Sequence, residues 1–331
     1  MPPPSQPELV AKILAQYRLA WTKILAPQKG YRNTAYPIKL QDGTLVNLIL
    51  YKSEPGVLPK IQHANQVSDF LAAQGFPTRR TFRQHIVRLQ SGSRQKYAAL
   101  YNYLPGHTIP WEAYTKHHLK LLGKTMSDMH AALQSGPTVE STVTDEYQAI
   151  CERMTRYFHN KGVREAMTRK LRLDLSPQTT EQYLRLMNYC ARFSGQQTLH
   201  MDFVRGNILF ETPANTLTIS GILDFEKTTT GPRLFDIART LAFLLVDCKY
   251  TPEAKVRKYF LYSGYHKRGA APMPSVMSGQ LNMLEVLVNL FLLYDFYKFL
   301  RHNPYEHLAQ NEHFIRTRDL LVRRTVIKMI E

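Results

Sequence analysis

The chain has 331 residues, with 43 lysines and arginines against 26 acids and a formal charge of +17. That length suits two packed units, and a composition 44% hydrophobic and 21% charged excludes a disordered or fibrous chain. Three widely spaced cysteines, Cys151, Cys190 and Cys248, exclude a disulfide framework or a zinc knuckle. The opening MPPPSQPELVAK lacks the charged-then-apolar layout of a secretory leader, so a reduced, cytoplasmic setting is expected. A field of this sign attracts nucleotides, phosphorylated metabolites, acidic lipids or nucleic acid, and a cleft for a polycation would have to work against it.

Taken in chain order, Ser5-x-x-Glu8 reads as a capping box ahead of one apolar stripe, Leu9, Val10, Ile13, Leu14 and Tyr17. TAYPIKL and TLVNLILYK flank Gln41-Asp42-Gly43, a hairpin signal. A helix at Leu58–Ala73 follows, then a second hairpin, HIVRLQ and KYAALYNYL, around Ser91-Gly92-Ser93. After Pro105-Gly106 the period becomes helical, with Leu119, Leu122, Met126, Met129 and Leu133 on one face. Helices are expected at about 145–160, 178–193, 233–247, 252–266, 277–301 and 310–330. Short strands are expected at Gln197–His200, Asn207–Glu211 and Leu217–Leu223. The predicted organisation is α+β in two lobes, a β-rich one over 1–104 and a helical one over 105–331, with a hinge near Tyr101–Gly106.

The apolar stretch Asn282–Leu300 is interrupted by Glu285, Asn289, Asp295 and Lys298, which favours a buried helix over a membrane span. Its aromatic run, Phe291, Tyr294, Phe296, Tyr297 and Phe299, reads as core at helical spacing, with a pocket wall for a cationic head group as the alternative. His117-His118, His130, His159 and His266 show no metal-ligand spacing. The basic segments RMTRYFHNKGVREAMTRKLR and Arg316–Lys328 carry no recognised nucleic-acid module, so nucleic acid is not the expected partner.

The stretch LHMDFVRGNILF followed by ISGILDFE carries the chemistry. His200-x-Asp202-x-x-x-x-Asn207 has the spacing of a kinase catalytic loop, and Asp224 ends the apolar strand Ile219–Leu223. Phosphoryl transfer needs in-line positioning, a carboxylate to receive the hydroxyl proton, and cations over the phosphates. Asp202 supplies the carboxylate, while Asn207 and Asp224 supply hard oxygens for Mg²⁺. Arg205 is read as a donor either to a phosphate or to a nearby carboxylate.

LHMDFVRGNILF, GILDFE and GPRLFDIARTLAFLL together resemble the aminoglycoside phosphotransferase, choline kinase and homoserine kinase-like group of the protein-kinase-like fold, over about residues 20 to 300. YFLYSGYHKRG and LNMLEVLVNLFLLYDFYKFL are similar to its homoserine-kinase-like branch. The resemblance implies a bilobal fold that binds ATP and Mg²⁺ and phosphorylates a small-molecule hydroxyl, that of an amino alcohol, an amino acid or a sugar. It implies Asp202 as catalytic base and Asn207 and Asp224 as metal ligands. Asp236 matches a residue that braces the catalytic loop, although the sequence alone reads equally as a helix N-cap.

In the first lobe the resemblance implies that Gln28-Lys29-Gly30-Tyr31-Arg32-Asn33 covers the phosphates, with Gly30 and Asn33 at the nucleotide. Lys52, at the end of LVNLILYK, would pair with the α- and β-phosphates. Tyr101 and Tyr103, in the hinge strand, would offer backbone groups to adenine. The chain departs from the pattern at one place. Where the group carries a helix Glu that holds the lysine, this sequence reads His63-Ala64-Asn65-Gln66, and the nearest carboxylates are Glu54 and Asp69. Two alternatives follow: a Ser/Thr protein kinase on the same scaffold, and a non-catalytic nucleotide-binding chain.

Overall fold

The computed structural model describes residues 6–30, 33–91, 94–193, 195–267 and 278–330. Ser5 of the capping box, Tyr31 and Arg32 of the glycine turn, Gly92 and Ser93 of the second hairpin, and Arg268 and Gly269 lie outside them. The chain divides into two compact units. Residues 1–106 and 220–226 form the first, and residues 107–219 and 227–331 the second.

The first unit starts with α1 (Gln6–Gln16), β1 (Trp21–Ile24) and β2 (Gln28–Lys29). β3 (Thr34–Leu40), β4 (Leu45–Tyr51), α2 (Val57–Ala73), β5 (Thr81–Ser91) and β6 (Arg94–Asn102) follow. The antiparallel sheet runs β1-β3-β4-β6-β5, with β2 on β3. Alternation along β4 sends Val46 and Leu48 to one face and Ile49 and Tyr51 to the other. The first face buries Val10, Ile13 and Leu14 of α1 with Tyr17 just after it; the second packs Val57 and Ile61 of α2. Asp42-Gly43 makes the turn between β3 and β4. Gly43 sits at φ +86° and the Asp42 carboxylate accepts from Thr44 N at 2.9 Å. Residues 220–226 join this unit through Ile222 N, which donates to Pro77 O at 2.7 Å, and Ser220 Oγ, which donates to Pro105 O at 2.9 Å.

The second unit is mainly helical. It contains α3 (Lys116–Leu133), α4 (Val143–His159), α5 (Lys161–Leu171), β7 (Leu173–Asp174), α6 (Pro177–Ala191) and β8 (Gln196–Leu199). Then come β9 (Ile208–Glu211), β10 (Thr218–Ile222, whose last three residues belong to the first unit), β11 (Thr229–Pro232) and α7 (Arg233–Asp247). The chain ends with α8 (Glu253–Arg257), α9 (Ser278–His302), α10 (Tyr305–Leu308), α11 (Glu312–Arg323) and β12 (Lys328–Met329). β8 pairs with β11, and β12 with β7, both antiparallel. Phe291 and Phe296 of α9 are fully buried and Tyr297 nearly so, as expected of a core helix. No helix among the described residues is long and apolar enough to cross a membrane.

Two expected helices are shorter than their periodicity suggests. The stretch 252–266 is helical only to Arg257 and then widens into an i→i+5 turn over Lys258–Tyr262, closed by Ser263 N donating to Lys258 O at 2.9 Å. The cause is close packing. A Cβ on Gly123 of α3 would collide with Phe260 O, and one on Gly264 would lie 2.6 Å from that oxygen and 2.8 Å from Lys120 O. The stretch 310–330 stops at Arg323, because Thr325 takes φ +56° and the chain turns into β12. α5 and β11 were not anticipated; Thr-Thr-Gly-Pro carries a turn composition, yet it pairs with β8 in register.

Gly123→Ala should therefore lower the unfolding free energy by about 1–3 kcal/mol, the range for overpacked interiors. Gly206→Ala, where a Cβ meets nothing within 4 Å, should stay within about 0.5 kcal/mol of wild type. Urea denaturation of the two variants side by side checks both.

Candidate active site

The loop after β8 is shaped by a buried carboxylate. Asp236, in the first turn of α7, is fully buried. Its Oδ2 accepts from His200 N at 2.9 Å and its Oδ1 from Met201 N at 2.9 Å. His130 Nε2 lies 3.0 Å from Oδ2, and His130 Nδ1 meets the Tyr265 hydroxyl at 2.8 Å. Pro232, not Asp236, occupies the N-cap position, so of the two readings of Asp236 the structure selects the brace. Burial acts most strongly on this group and opposes its charge. The hydrogen bond and charge of His130, with the His200 ring and backbone, outweigh burial and hold the carboxyl below its usual range. The two backbone bonds also hold Met201 at φ +58°, a conformation that costs a non-glycine residue about 1–2 kcal/mol.

Held this way, the loop presents Asp202, itself only 6% exposed. Asn207 Nδ2 donates to Asp202 O at 2.9 Å and to Asp202 Oδ2 at 3.0 Å. Asp202 N donates to His200 Nδ1 at 3.1 Å. The other carboxylate oxygen, Oδ1, is 2.7 Å from Lys227 Nζ. Lys227 was missed by the sequence reading. Its only signal was a basic residue three positions after Asp224, which the motif does not specify. Asp202, Asn207 and Lys227 thus form a compact charged cluster within the second unit.

Two other buried carboxylates of the same unit, Asp247 and Asp295, are also paired. Arg205, in the loop, has its Nε 3.5 Å from Asp247 Oδ2, so of its two readings the structure shows the carboxylate partner. Burial pushes the Asp247 carboxyl up to about 6 despite Arg205. His313 Nδ1 approaches Asp247 at 3.7 Å while its ring stacks on Trp111 at 4.2 Å. Arg239 of α7 grips Asp295 of α9 through both terminal nitrogens, at 2.9 and 3.2 Å, and lies 4.0 Å over the Phe243 ring. Lys298 Nζ adds a contact to Asp295 at 2.6 Å. The charge of Asp202 bears on both Arg239 and Tyr147.

Within the first unit, Gly30 N donates to Asn33 O at 2.9 Å, closing the turn between β2 and β3. Asn33 Nδ2 donates to Glu226 Oε1 at 2.7 Å, and Asn33 Oδ1 accepts from Lys52 N at 3.3 Å. The Lys52 ammonium pairs with Glu54 at 3.4 Å and is 59% exposed. Asp69 is engaged elsewhere, accepting from Thr81 N at 2.7 Å. On α2, Asn65 Oδ1 accepts from the Tyr101 hydroxyl at 2.8 Å, and Tyr51 approaches that hydroxyl at 2.6 Å. Tyr101 is interior to the sheet, flanked by β4 and β5, and burial pushes its hydroxyl up to about 12. Tyr103 N reaches Leu45 O at 3.4 Å. Asp224 takes φ +60°, a left-handed conformation that Asp tolerates better than most residues. Glu226, two residues beyond it, had no signal in the sequence.

Asp247 generates a pH prediction. Its folded pKa of about 6 lies above its ordinary value, so its contribution to stability is full below about pH 4 and is lost as pH rises through 6. Unfolding free energies of wild type and Asp247→Asn at pH 4 and pH 7.5 should diverge by roughly 2–3 kcal/mol, with wild type losing more as pH rises.

The sequence profile of the phosphotransferase enzyme family (APH) matches residues 23–267. No curated protein sequence matches the chain. Among solved structures the chain is similar to amicoumacin kinase hAmiN in complex with AMP-PNP, Ca²⁺ and Ami, at TM-score 0.68 and 14% identity, covering 99% of this chain and 98% of that one. It is also similar to a microcompartment-associated aminopropanol kinase, at TM-score 0.67 and 12% identity over 97% and 99%. A third is macrolide 2'-phosphotransferase MphH from Brachybacterium faecium, at TM-score 0.55 and 16% identity over 94% and 98%. At these identities the structures establish the α+β, kinase-like fold. The profile, spanning most of the chain, establishes the rest: the protein belongs to the phosphotransferase enzyme family, as an ATP-dependent phosphotransferase with an alcohol group as acceptor.

Proposed function

We propose that this protein moves the γ-phosphoryl group of ATP, with Mg²⁺, onto a hydroxyl of a small molecule such as an amino alcohol, an amino acid or a sugar, with Asp202 as catalytic base. The observation that supports it best is the setting of Asp202. Asn207 fixes one carboxylate oxygen and the loop backbone fixes the residue, so the carboxylate is oriented before any substrate arrives. The Lys227 ammonium occupies one lone-pair direction of Oδ1. A carboxylate oxygen has another, which can orient the acceptor hydroxyl and take its proton as the oxygen attacks phosphorus.

Asn207 and Asp224 are read as the ligands of Mg²⁺, and their chemistry fits a hard cation. Asn207 spends its amide hydrogens on Asp202, which leaves its Oδ1, the right atom for a metal. Asp224 makes no ion pair within 4 Å among the described residues, so its carboxylate is not already neutralised. When bound, the ion supplies positive charge to the phosphate oxygens. Lys52, Gly30 and Asn33 are read as phosphate contacts. The strand from Tyr101 to Tyr103 is read as the adenine edge, with groups beyond the ladder at Tyr103 the freer ones. Amicoumacin kinase, of the same fold, was solved with AMP-PNP and Ca²⁺, which supports nucleotide and divalent cation here.

The charges around Asp202 narrow the acceptor. Asp202 is paired with Lys227, and Asp295 with both Arg239 and Lys298. In these two groups three cations meet two carboxylates, which favours a neutral or anionic hydroxylated acceptor over a polycation. A non-catalytic chain is the second reading, and one observation favours it: exposed Lys52 is held by half-buried Glu54 while Asn65 stands on the helix.

Transfer of labelled γ-phosphate from Mg-ATP to a pooled metabolite extract decides. Label should appear on a small molecule and fall at least about 10²–10⁴-fold in Asp202→Ala. EDTA should remove it entirely. Label on protein alone would mean a protein kinase, and nucleotide binding with no transfer above the Asp202→Ala background would mean the non-catalytic reading.

A further inference from the structure

The second unit contains a cavity of about 700 Å³, within the range of small-molecule sites. Three separate segments build it: the first half of α3, the turn joining β9 to β10, and the chain after the wide turn at Lys258–Tyr262. Its walls include Lys120 and Lys124, and none of its lining residues is acidic. These lysines are four apart on one helix, so their stems leave α3 about 6 Å apart on the same face. Neither pairs with a carboxylate within 4 Å among the described residues. The Lys120 ammonium lies 5.9 Å over the Tyr259 ring.

The remaining lining suits an anion as well. His117 faces the cavity, whereas His118 is consumed by the helix cap, its Nδ1 2.8 Å from Thr115 Oγ1. The β9–β10 turn brings the hydroxyls of Thr212 and Thr216 and the amide of Asn215. Opposite, Ser263 and Gly264 lie against α3 at backbone distance, since a Cβ on Gly264 would come within 2.8 Å of Lys120 O. The concavity therefore depends on a glycine contact rather than on mobile surface side chains. It also sits at a consequential place. Gly264 precedes Tyr265, whose hydroxyl meets His130 and, through it, the Asp236 that braces the catalytic loop.

We propose that this cavity is a binding site for a phosphorylated small molecule carrying two anionic groups, one for each of Lys120 and Lys124. The two stems rise from one face of α3, and phosphate matches the combination of point cations and hydroxyl donors. The site is separate from Asp202 and Asn207 and stands whether or not the acceptor of the phosphotransferase is identified.

Calorimetric titration of the full chain with 2,3-bisphosphoglycerate, and with inorganic phosphate as the single-anion comparison, tests it. The bisphosphate should bind at least tenfold tighter than phosphate. Lys120→Gln/Lys124→Gln should weaken it at least tenfold, while Lys161→Gln/Arg169→Gln, the same charge change on exposed α5, should leave it within twofold. Equal binding by wild type and the cavity variant would overturn the proposal. Equal weakening by both double variants would overturn it too, since only the net charge of +17 would then be at work. Circular dichroism of the variants, expected to match wild type, separates loss of binding from loss of fold.

Discussion

A carboxylate with no solvent exposure must have its charge met by the protein or give it up, and Asp236 has it met by three groups at once. Two backbone amides of the Asp202 loop and a histidine ring converge on it, and a tyrosine hydroxyl holds the far side of that ring. Desolvation of an ion costs several kcal/mol, so partial satisfaction would be worse than an apolar core. The network therefore works as a unit. It ties α3, through His130, to α7 and to the loop that carries Asp202. It also allows Met201 a left-handed backbone, without which Asp202 would be directed elsewhere. The order of construction is from a buried charge to a backbone conformation, and from that conformation to a side-chain position.

The same logic appears at lower intensity beside it. Arg239 and Asp295 join α7 to α9 by a two-pronged pair roofed by the Phe243 ring, and burial opposes the Asp295 charge while Arg239 and Lys298 hold its carboxyl down. Asp247 is the contrasting case. It is buried too, but its pairing with Arg205 is longer, so burial wins and the group rises to about 6. One helix thus carries a carboxylate held ionised at its first turn and another held half-way at its last. The difference lies in the number and geometry of donors, because both are almost fully buried.

How much of this was legible follows from the range of each interaction. The catalytic-loop spacing is local, and so are the Asp42-Gly43 turn, the apolar stripe of α1 and the periodicity of α3; all could be read from neighbouring letters. Lys227 could not, because it reaches Asp202 only after β9, β10 and the return to β11 have brought residues 25 positions apart together. Glu226 and Asn33 are 193 positions apart. The break after Arg257 was hidden for another reason. Its apolar periodicity is genuinely helical, and what widens the helix is its close packing, through Gly264, against Gly123 of α3. Composition also misled at β11, where Thr-Thr-Gly-Pro resembles a turn but its register with β8 makes it a strand.

The positive charge of the chain is then a matter of distribution rather than of total. Asp202 carries one lysine, and Asp295 carries an arginine and a lysine. A kinase for a polycation needs the reverse, since the acceptor must be drawn against a protein that already repels it. Likeness to the amicoumacin kinase and the macrolide phosphotransferase is likeness of fold. It does not fix the sign of the charge on α9 or on the segment after Asp224, and these are the positions where Lys298 and Lys227 stand. Both are side chains that the family motif leaves free.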